Sequence, residues 1–297
     1  MAEQMASSVT VGLVQVPGGE PFDVARDRAE RAVVSAVTAG AAIVVLPEFT
    51  PRCWFPVERG TPKQLTLRPG AVSNWAAALS RRYGCHLLCV DLERAMGDRW
   101  YNTARLHGPG GEVLVHRKRH LPDEPGFRET AWYAPGTDGP RVAFAAGAKV
   151  AALTCSDAMF PEDARALGRQ GADLLLVPRA SPAEPRSMQR WWVMLRADAI
   201  VSGAYVISVN RVGGEGGIEF AGHSVVIAPD GDVVVELGAD PEVRVVQLDL
   251  EVTRAAKHAY PVLVDRDDWV GGGSAATSRG PSRRRSARAD TTVRADH

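Results

Sequence analysis

Cys155 closes an apolar run, Val150 to Thr154, and is followed by Ser156-Asp157-Ala158-Met159-Phe160-Pro161-Glu162-Asp163. Pro161 suits the first position of a helix and the acidic residues its first turn, so the cysteine is predicted on a tight strand-to-helix connection. The positive end of such a helix and its free amides would lower the thiol pKa and favour a thiolate, the nucleophile of acyl transfer. A lone cysteine is more often a buried structural residue. The segment alone leaves the two readings even.

Glu48 follows the continuous apolar run Ala42 to Leu46, so its carboxylate emerges at a strand end, where open α/β folds place ligands. There it could take a thiol proton, with partial burial raising its pKa toward the working range. Lys118 lies in the basic run Arg117-Lys118-Arg119-His120. Such a run usually faces solvent, but one lysine turned inward could hold the oxyanion of a tetrahedral intermediate. Glu129, in Gly126-Phe127-Arg128-Glu129, is a fourth candidate from a long loop. Cys85 and Cys89 sit on a strand-like apolar stretch with no second Cys or His pair at ligand spacing, so they read as buried small hydrophobes and no metal is expected.

Together these segments resemble a known family. LPEF (46–49), HRKRHLPDEPGFRE (116–129), LTCSDAMFPE (153–162) and NRVGGE (210–215) are similar to four motifs of the nitrilase, or carbon–nitrogen hydrolase, superfamily, in that family's order. YAPG (133–136) and FAGHSVVIAPDGDVV (220–234) are also similar to it. The resemblance covers roughly the first 260 residues. It implies a four-layer αββα sandwich of mixed sheets with helices on the outer faces, and a homodimer packed sheet to sheet. It also implies Cys155 as nucleophile, Glu48 as general base, Lys118 as oxyanion stabiliser, Glu129 as a second glutamate positioning the site, and the Ser156 backbone N–H as the second oxyanion donor. No cofactor is implied.

The loop from His120 to Gly136 is most similar to the branch hydrolysing N-carbamoyl compounds, especially N-carbamoylputrescine and β-ureido acids. True nitrilases usually place Trp-Glu after the nucleophile, where this chain has Ser156-Asp157. Met159 stands where related amidases often carry Arg or Trp, so a carboxylate-clamping arginine is missing there. Residues flanking the motifs are the expected pocket lining: Trp54 and Phe55 after Glu48, Trp132 and Tyr133 after Glu129, Met159 and Phe160 after Cys155. For each, plain core packing is an equal alternative. Arg179, Asp123, Glu124 and Arg128 could meet a charged substrate end, an exposed loop charge being the plainer reading. The reaction expected is hydrolysis of a small amide or ureide through a thioester. The same acyl-enzyme passing its acyl group to an amine is the alternative, and a non-catalytic scaffold is disfavoured because every matched position carries the required residue type.

The elements that must position these groups alternate along the chain. Strands are predicted at Val9 to Val16, Ala42 to Leu46, His86 to Asp91, on both sides of Gly110-Gly111, and at Lys149 to Thr154, Asp173 to Val177 and Tyr205 to Asn210. Helices are predicted from Asp23 to Gly40 and over Ala71 to Tyr83, Pro161 to Gln170 and Arg186 to Ser202. The last third reads as mostly strand, and Leu121 to Pro140 as a long loop. Trp191 and Trp192, adjacent on a helix, cannot share a face, and one is expected at a dimer interface. This order predicts one α/β domain over residues 1–270, followed by an Arg-rich disordered tail over 271–297. The formal net charge of zero gives no reason to propose nucleic acid or an anionic membrane as partner. Met1 to Thr10 does not read as a signal peptide and no apolar run approaches membrane-spanning length, which makes the cytoplasm the expected compartment.

Overall fold

The structure is a computed structural model that describes residues 5–19, 21–52, 68–97, 99–124, 127–215 and 217–259. Two six-stranded sheets are built to the same plan. In the first, parallel strands β1 (Ser8–Gln15), β2 (Ile43–Val45) and β3 (His86–Arg94) form the centre. Antiparallel β4 (Trp100–Gly108) and β5 (Gly111–Arg117) extend one side and β16 (Glu242–Asp249) the other. In the second, β9 (Ala148–Ala152), β10 (Leu174–Arg179) and β11 (Tyr205–Asn210) are parallel. Antiparallel β8 (Ala143–Ala145) flanks them on one side, and β14 (Val225–Ile227) and β15 (Val233–Glu236) on the other.

Helices α1 (Phe22–Thr38) and α2 (Ala71–Tyr83) cover the first sheet, and α3 (Pro161–Arg169) and α4 (Pro185–Ser202) the second. The strand sequences favour this layering, because β2 (IVV) and the Leu174–Val177 run of β10 are apolar at successive positions and so must be covered on both faces. In β10, Leu174 and Leu176 enter the layer between the sheets, while Leu175 and Val177 enter the layer under α3 and α4. In β2, Ile43 and Val45 face the other sheet and Val44 faces Val33 and Ala36 of α1. Three apolar layers separate four layers of secondary structure, the αββα sandwich expected.

Differences fall where sequence signals are weak. The stretch expected as a loop from Leu121 holds a two-residue ladder, β6 (Asp123–Glu124) with β7 (Phe127–Arg128), and a 3₁₀ turn at Glu129–Ala131. The glycine-rich NRVGGE segment forms a hairpin, β12 (Val212–Glu215) with β13 (Ile218–Ala221), despite low strand propensity. A short helix, α5 (Leu250–Ala259), follows the last strand, a stretch for which no element was expected. The Arg-rich tail lies outside the described residues. Among the described residues no helix is long and apolar enough to cross a membrane.

Candidate active site

Glu48 leaves the end of β2 and is buried. Its backbone is tied to the second sheet, the N–H donating to Arg179 O at 3.3 Å. The Arg211 guanidinium donates to the carbonyls of Glu48, Phe49 and Arg52 at 3.5, 3.5 and 3.2 Å, which gives the arginine of NRVGGE a physical role: it holds the turn that presents Glu48. The asparagine of that motif, Asn210, braces the facing wall by accepting from Ser181 N at 2.8 Å.

Lys118 follows β5 and, despite its basic neighbours, is wholly buried. Its N–H donates to Asn102 O and its carbonyl accepts from Gly136 N, both at 2.8 Å. A Cβ on Gly136 would stand 2.3 Å from Arg117 O, so only glycine lets the YAPG turn close on this strand. Lys118 Nζ donates to Glu129 Oε1 at 2.8 Å and to Glu48 Oε1 at 3.1 Å. Burial alone would lower its pKa, but the two carboxylates, Glu129 first, outweigh that and hold it well above the ordinary lysine value. Glu129 is buried at the start of the 3₁₀ turn, its N–H donating to Pro122 O at 2.9 Å. Burial raises its carboxyl to about 7, with Lys118 pulling back and Glu48 adding to the rise. A residue not anticipated from sequence completes the group: Asn102 of β4 donates through Nδ2 to Glu48 Oε1 at 2.7 Å. Nothing in the sequence around it singles it out beyond an amide among strand-forming residues.

Cys155 opens a 3₁₀ helix, Cys155–Met159, with its backbone at φ 48°. Phe49, directly after Glu48, is likewise in the left-handed region at φ 54°. Side chains with a Cβ rarely adopt it, so the chain is bent unfavourably beside both groups. The Ala180 N–H donates to the Cys155 sulfur. The expectation of a lowered thiol pKa is overturned: burial and then the Glu48 charge push it up to about 12, against a smaller opposing pull from Lys118. A 3₁₀ turn, Cys155–Met159, separates the cysteine from the start of α3 at Pro161. As the second residue of that turn, Ser156 has no carbonyl three residues back within the helix, so its N–H is left for another acceptor.

Asp157, fully buried, joins the two halves of the site. Its Oδ1 accepts from the N–H groups of Arg119 and His120 at 3.0 and 2.9 Å. Its Oδ2 accepts from Thr154 N at 3.1 Å and lies 2.7 Å from His116 Nε2. Burial alone would raise this carboxyl, but the His116 bond and charge and the His120 amide hold it below the usual carboxylate range.

Cys155 opens onto a cavity of about 370 Å³ whose wall includes Ser156, Met159, Ala180, Ser181 and Trp191, with Glu124, Glu184 and Arg190 also lining it. The expected lining is thus met by Met159 but not by all its companions. Phe160 stacks on His120, ring centroids 3.7 Å apart, and lines an adjoining hollow with Ser156 and Glu124. Trp132 packs against the layer between the sheets instead. Arg179 is turned away from this cavity. It is buried, donates to Ser208 Oγ at 2.8 Å and His223 O at 3.0 Å, and lies 5.0 Å from the Trp191 ring. Burial brings its pKa down to about 10. Trp54 lies outside the described residues. Trp191, anticipated as one of two possible interface residues, faces the cavity, while Trp192, next to it on α4, is partly buried against the apolar layer between that helix and the second sheet.

Comparison with known proteins agrees with this architecture. The family model described as carbon-nitrogen hydrolase matches residues 10–258. An N-carbamoylputrescine amidase of Solanum tuberosum is 30% identical over 202 residues, 63% of this chain and 67% of that enzyme. A carbon-nitrogen hydrolase from Helicobacter pylori G27 superposes with a TM-score of 0.81 at 26% identity, covering 89% of this chain and 97% of that one. A variant of an amidase from Nesterenkonia sp. AN1, TM-score 0.71 and 26% identical, covers 86% of this chain and 96% of its own. It carries the acetamide moiety of fluoroacetamide covalently added at its active site cysteine. With its family model matched over residues 10–258 and its sandwich shared with these enzymes, the chain belongs to the carbon–nitrogen hydrolase family of the nitrilase superfamily.

Proposed function

We propose that this protein hydrolyses the C–N bond of a small amide or N-carbamoyl compound through a thioester on Cys155. The observation that carries the reading is a buried lysine held between two buried carboxylates beside a cysteine at the wall of a cavity. A thiol raised to about 12 is protonated at neutral pH and needs a base at the moment of attack. Glu48 takes the S–H proton as sulfur bonds to the carbonyl carbon. Lys118 Nζ and the Ser156 N–H receive the oxyanion. The C–N bond then breaks and Glu48 passes the proton to the departing nitrogen, releasing ammonia or an amine. Water attacks the thioester, Glu48 takes its proton, the C–S bond breaks and the thiol regains a proton.

Within that class the reading favours N-carbamoyl amines. Glu124 and Glu184 against Arg190 give the cavity more acidic than basic lining, and Met159 offers no charge to clamp a carboxylate. The 30% identity to an N-carbamoylputrescine amidase supports the same choice.

The test is ammonia release from N-carbamoyl amines, N-carbamoyl amino acids, ω-amides and simple nitriles, with wild type and Cys155→Ala, each with and without an added amine acceptor. Turnover of an amide or ureide that vanishes in the variant is expected. Turnover surviving loss of the thiol would overturn the mechanism, and a strict need for the acceptor would replace hydrolysis by acyl transfer.

A further inference from the structure

Lys118 and Cys155 hang from different sheets. Lys118 follows β5, at one edge of the first, and Cys155 follows β9 of the second. Between the sheets lies an apolar layer, and apolar packing is non-directional: it holds the sheets together without fixing one side chain against another to a fraction of an ångström. Catalysis of the kind proposed above needs that precision, since a 1 Å misplacement can cost about 100-fold in rate.

From this we infer that Asp157 is a positioning residue that sets the Lys118 ammonium against the Cys155 sulfur, with His116 as its partner; the inference rests on the Cys155 reading above. One carboxylate takes two hydrogen bonds on each oxygen. Three come from the segment carrying Lys118 (His116 Nε2, Arg119 N and His120 N) and one from the segment carrying Cys155 (Thr154 N). Asp157 itself is two residues from the cysteine. Lys118 lies between the anchored residues of one segment and Cys155 between Thr154 and Asp157 of the other, so each reacting group is flanked on both sides by a point of attachment.

Two further links run the same way. Ser156 Oγ donates to His120 O, and Asp163 of α3 accepts from the Arg119 guanidinium and lies 3.1 Å from His120 Nε2. These are more exposed than Asp157, which carries the directional constraint in the dry interior, where such bonds are strongest.

The test uses the full chain and iodoacetamide, which alkylates the thiol whatever the natural substrate is. Alkylation of the Cys155 peptide is followed by mass spectrometry for its rate constant and for the fraction of molecules that react natively, alongside kcat and KM on the best ureide of the panel. Asp157→Asn keeps the volume but sets an NH2 against Thr154 N–H or the two amides. It is expected to lower the per-site rate constant and kcat about 10- to 100-fold with KM within about 3-fold. A loss confined to the fraction reacting natively, with the per-site constant unchanged, would make Asp157 merely structural and overturn the inference.

If Asp157→Asn does not fold, the His116 pair decides. His116→Phe removes one donor and His116→Gln restores one, so activity should fall in the first and recover in the second; equal rates would overturn the inference. Cys155→Ala in the same assays separates the two claims. Turnover that survives it sinks the Cys155 reading, whereas turnover that needs the thiol but ignores every Asp157 and His116 change sinks only this one.

Discussion

Glu129 Oε1 lies 2.8 Å from Lys118 Nζ, while Oε2 of the same carboxyl is buried with no hydrogen-bond partner. Half of this side chain is thus anchored and half is desolvated without compensation, which is why burial leads the rise of its pKa to about 7. Ionised, it anchors the lysine; protonated, it releases part of that hold. The wild-type rate is therefore expected to rise through pH 7, as an apparent value belonging to the coupled group. Stability runs the other way. A carboxyl with a raised folded-state pKa contributes stability that is complete below its unfolded value of 4.5 and lost as pH climbs through about 7. Glu129→Gln should flatten both limbs and lower kcat about 10- to 100-fold. Rate profiles and thermal midpoints from pH 5 to 9 check this, and a steep limb near pH 7 persisting in the variant would refute it.

Asn102 gives Glu48 its closest hydrogen bond, 2.7 Å against 3.1 Å from Lys118. A hydrogen bond to a charged group is worth about 1.5–3 kcal/mol, so Asn102→Leu should cost roughly 10- to 100-fold in kcat/KM. The backbone bond from Lys118 N to Asn102 O survives the change, so the strand pairing should hold. An unchanged pH profile and rate in Asn102→Leu would mean that this amide has no part in setting the carboxylate.

Asn102 also shows where the sequence stops being legible. The sandwich could be read from strands such as Leu174 to Val177, apolar at every position and thus covered on both faces. Glu48 and Cys155 could be found because each ends such a strand. Lys118 could be singled out only by resemblance, since a lysine among Arg117, Arg119 and His120 has no local feature turning it inward. Pairings between distant segments left no trace at all. Asn102 meets Glu48 across 54 positions and Asp157 meets His116 across 41, and neither spacing has a periodicity to detect. The same limit misplaced Arg179 and Trp132 as cavity residues, because a strand-end arginine and a loop tryptophan can turn either way until their neighbours are known.

Asp91, in β3, accepts from Arg52 Nη2 at 2.9 Å and from the N–H groups of Val72, Ser73 and Leu92 at 2.8, 3.0 and 2.7 Å. Two of those amides belong to the first turn of α2, so one buried carboxylate holds both a helix start and a buried guanidinium. Asp91→Ala should destabilise by about 3–5 kcal/mol, because the buried Arg52 guanidinium loses this ion pair and the α2 amides lose their acceptor. Arg52→Met combined with Asp91→Leu should lose less than the single change. Denaturant unfolding of both variants makes the comparison.

Asp198 of α4 is fully buried, and neither carboxyl oxygen has a hydrogen-bond partner. Burial, helped by Asp163 and Glu162, raises its pKa to about 8. Stability from this group is complete below its ordinary value of 3.8 and is lost progressively up to about 8. The thermal midpoint of the wild type should fall across that window relative to Asp198→Asn, with the largest difference above pH 8. Parallel curves for the two proteins would contradict the protonated state assigned to this side chain at neutral pH.

The left-handed backbone at Cys155 sets the needs of chemistry against those of folding at a single position. An L-residue there carries a penalty of about 1–2 kcal/mol that glycine escapes. Cys155→Gly should accordingly be more thermally stable than Cys155→Ala by about 1 kcal/mol, although both lack the thiol. Selection for stability alone would place a glycine at this turn. Any variant that keeps the thiol keeps this local strain, so the cost must be met by the packing around the turn rather than at position 155 itself.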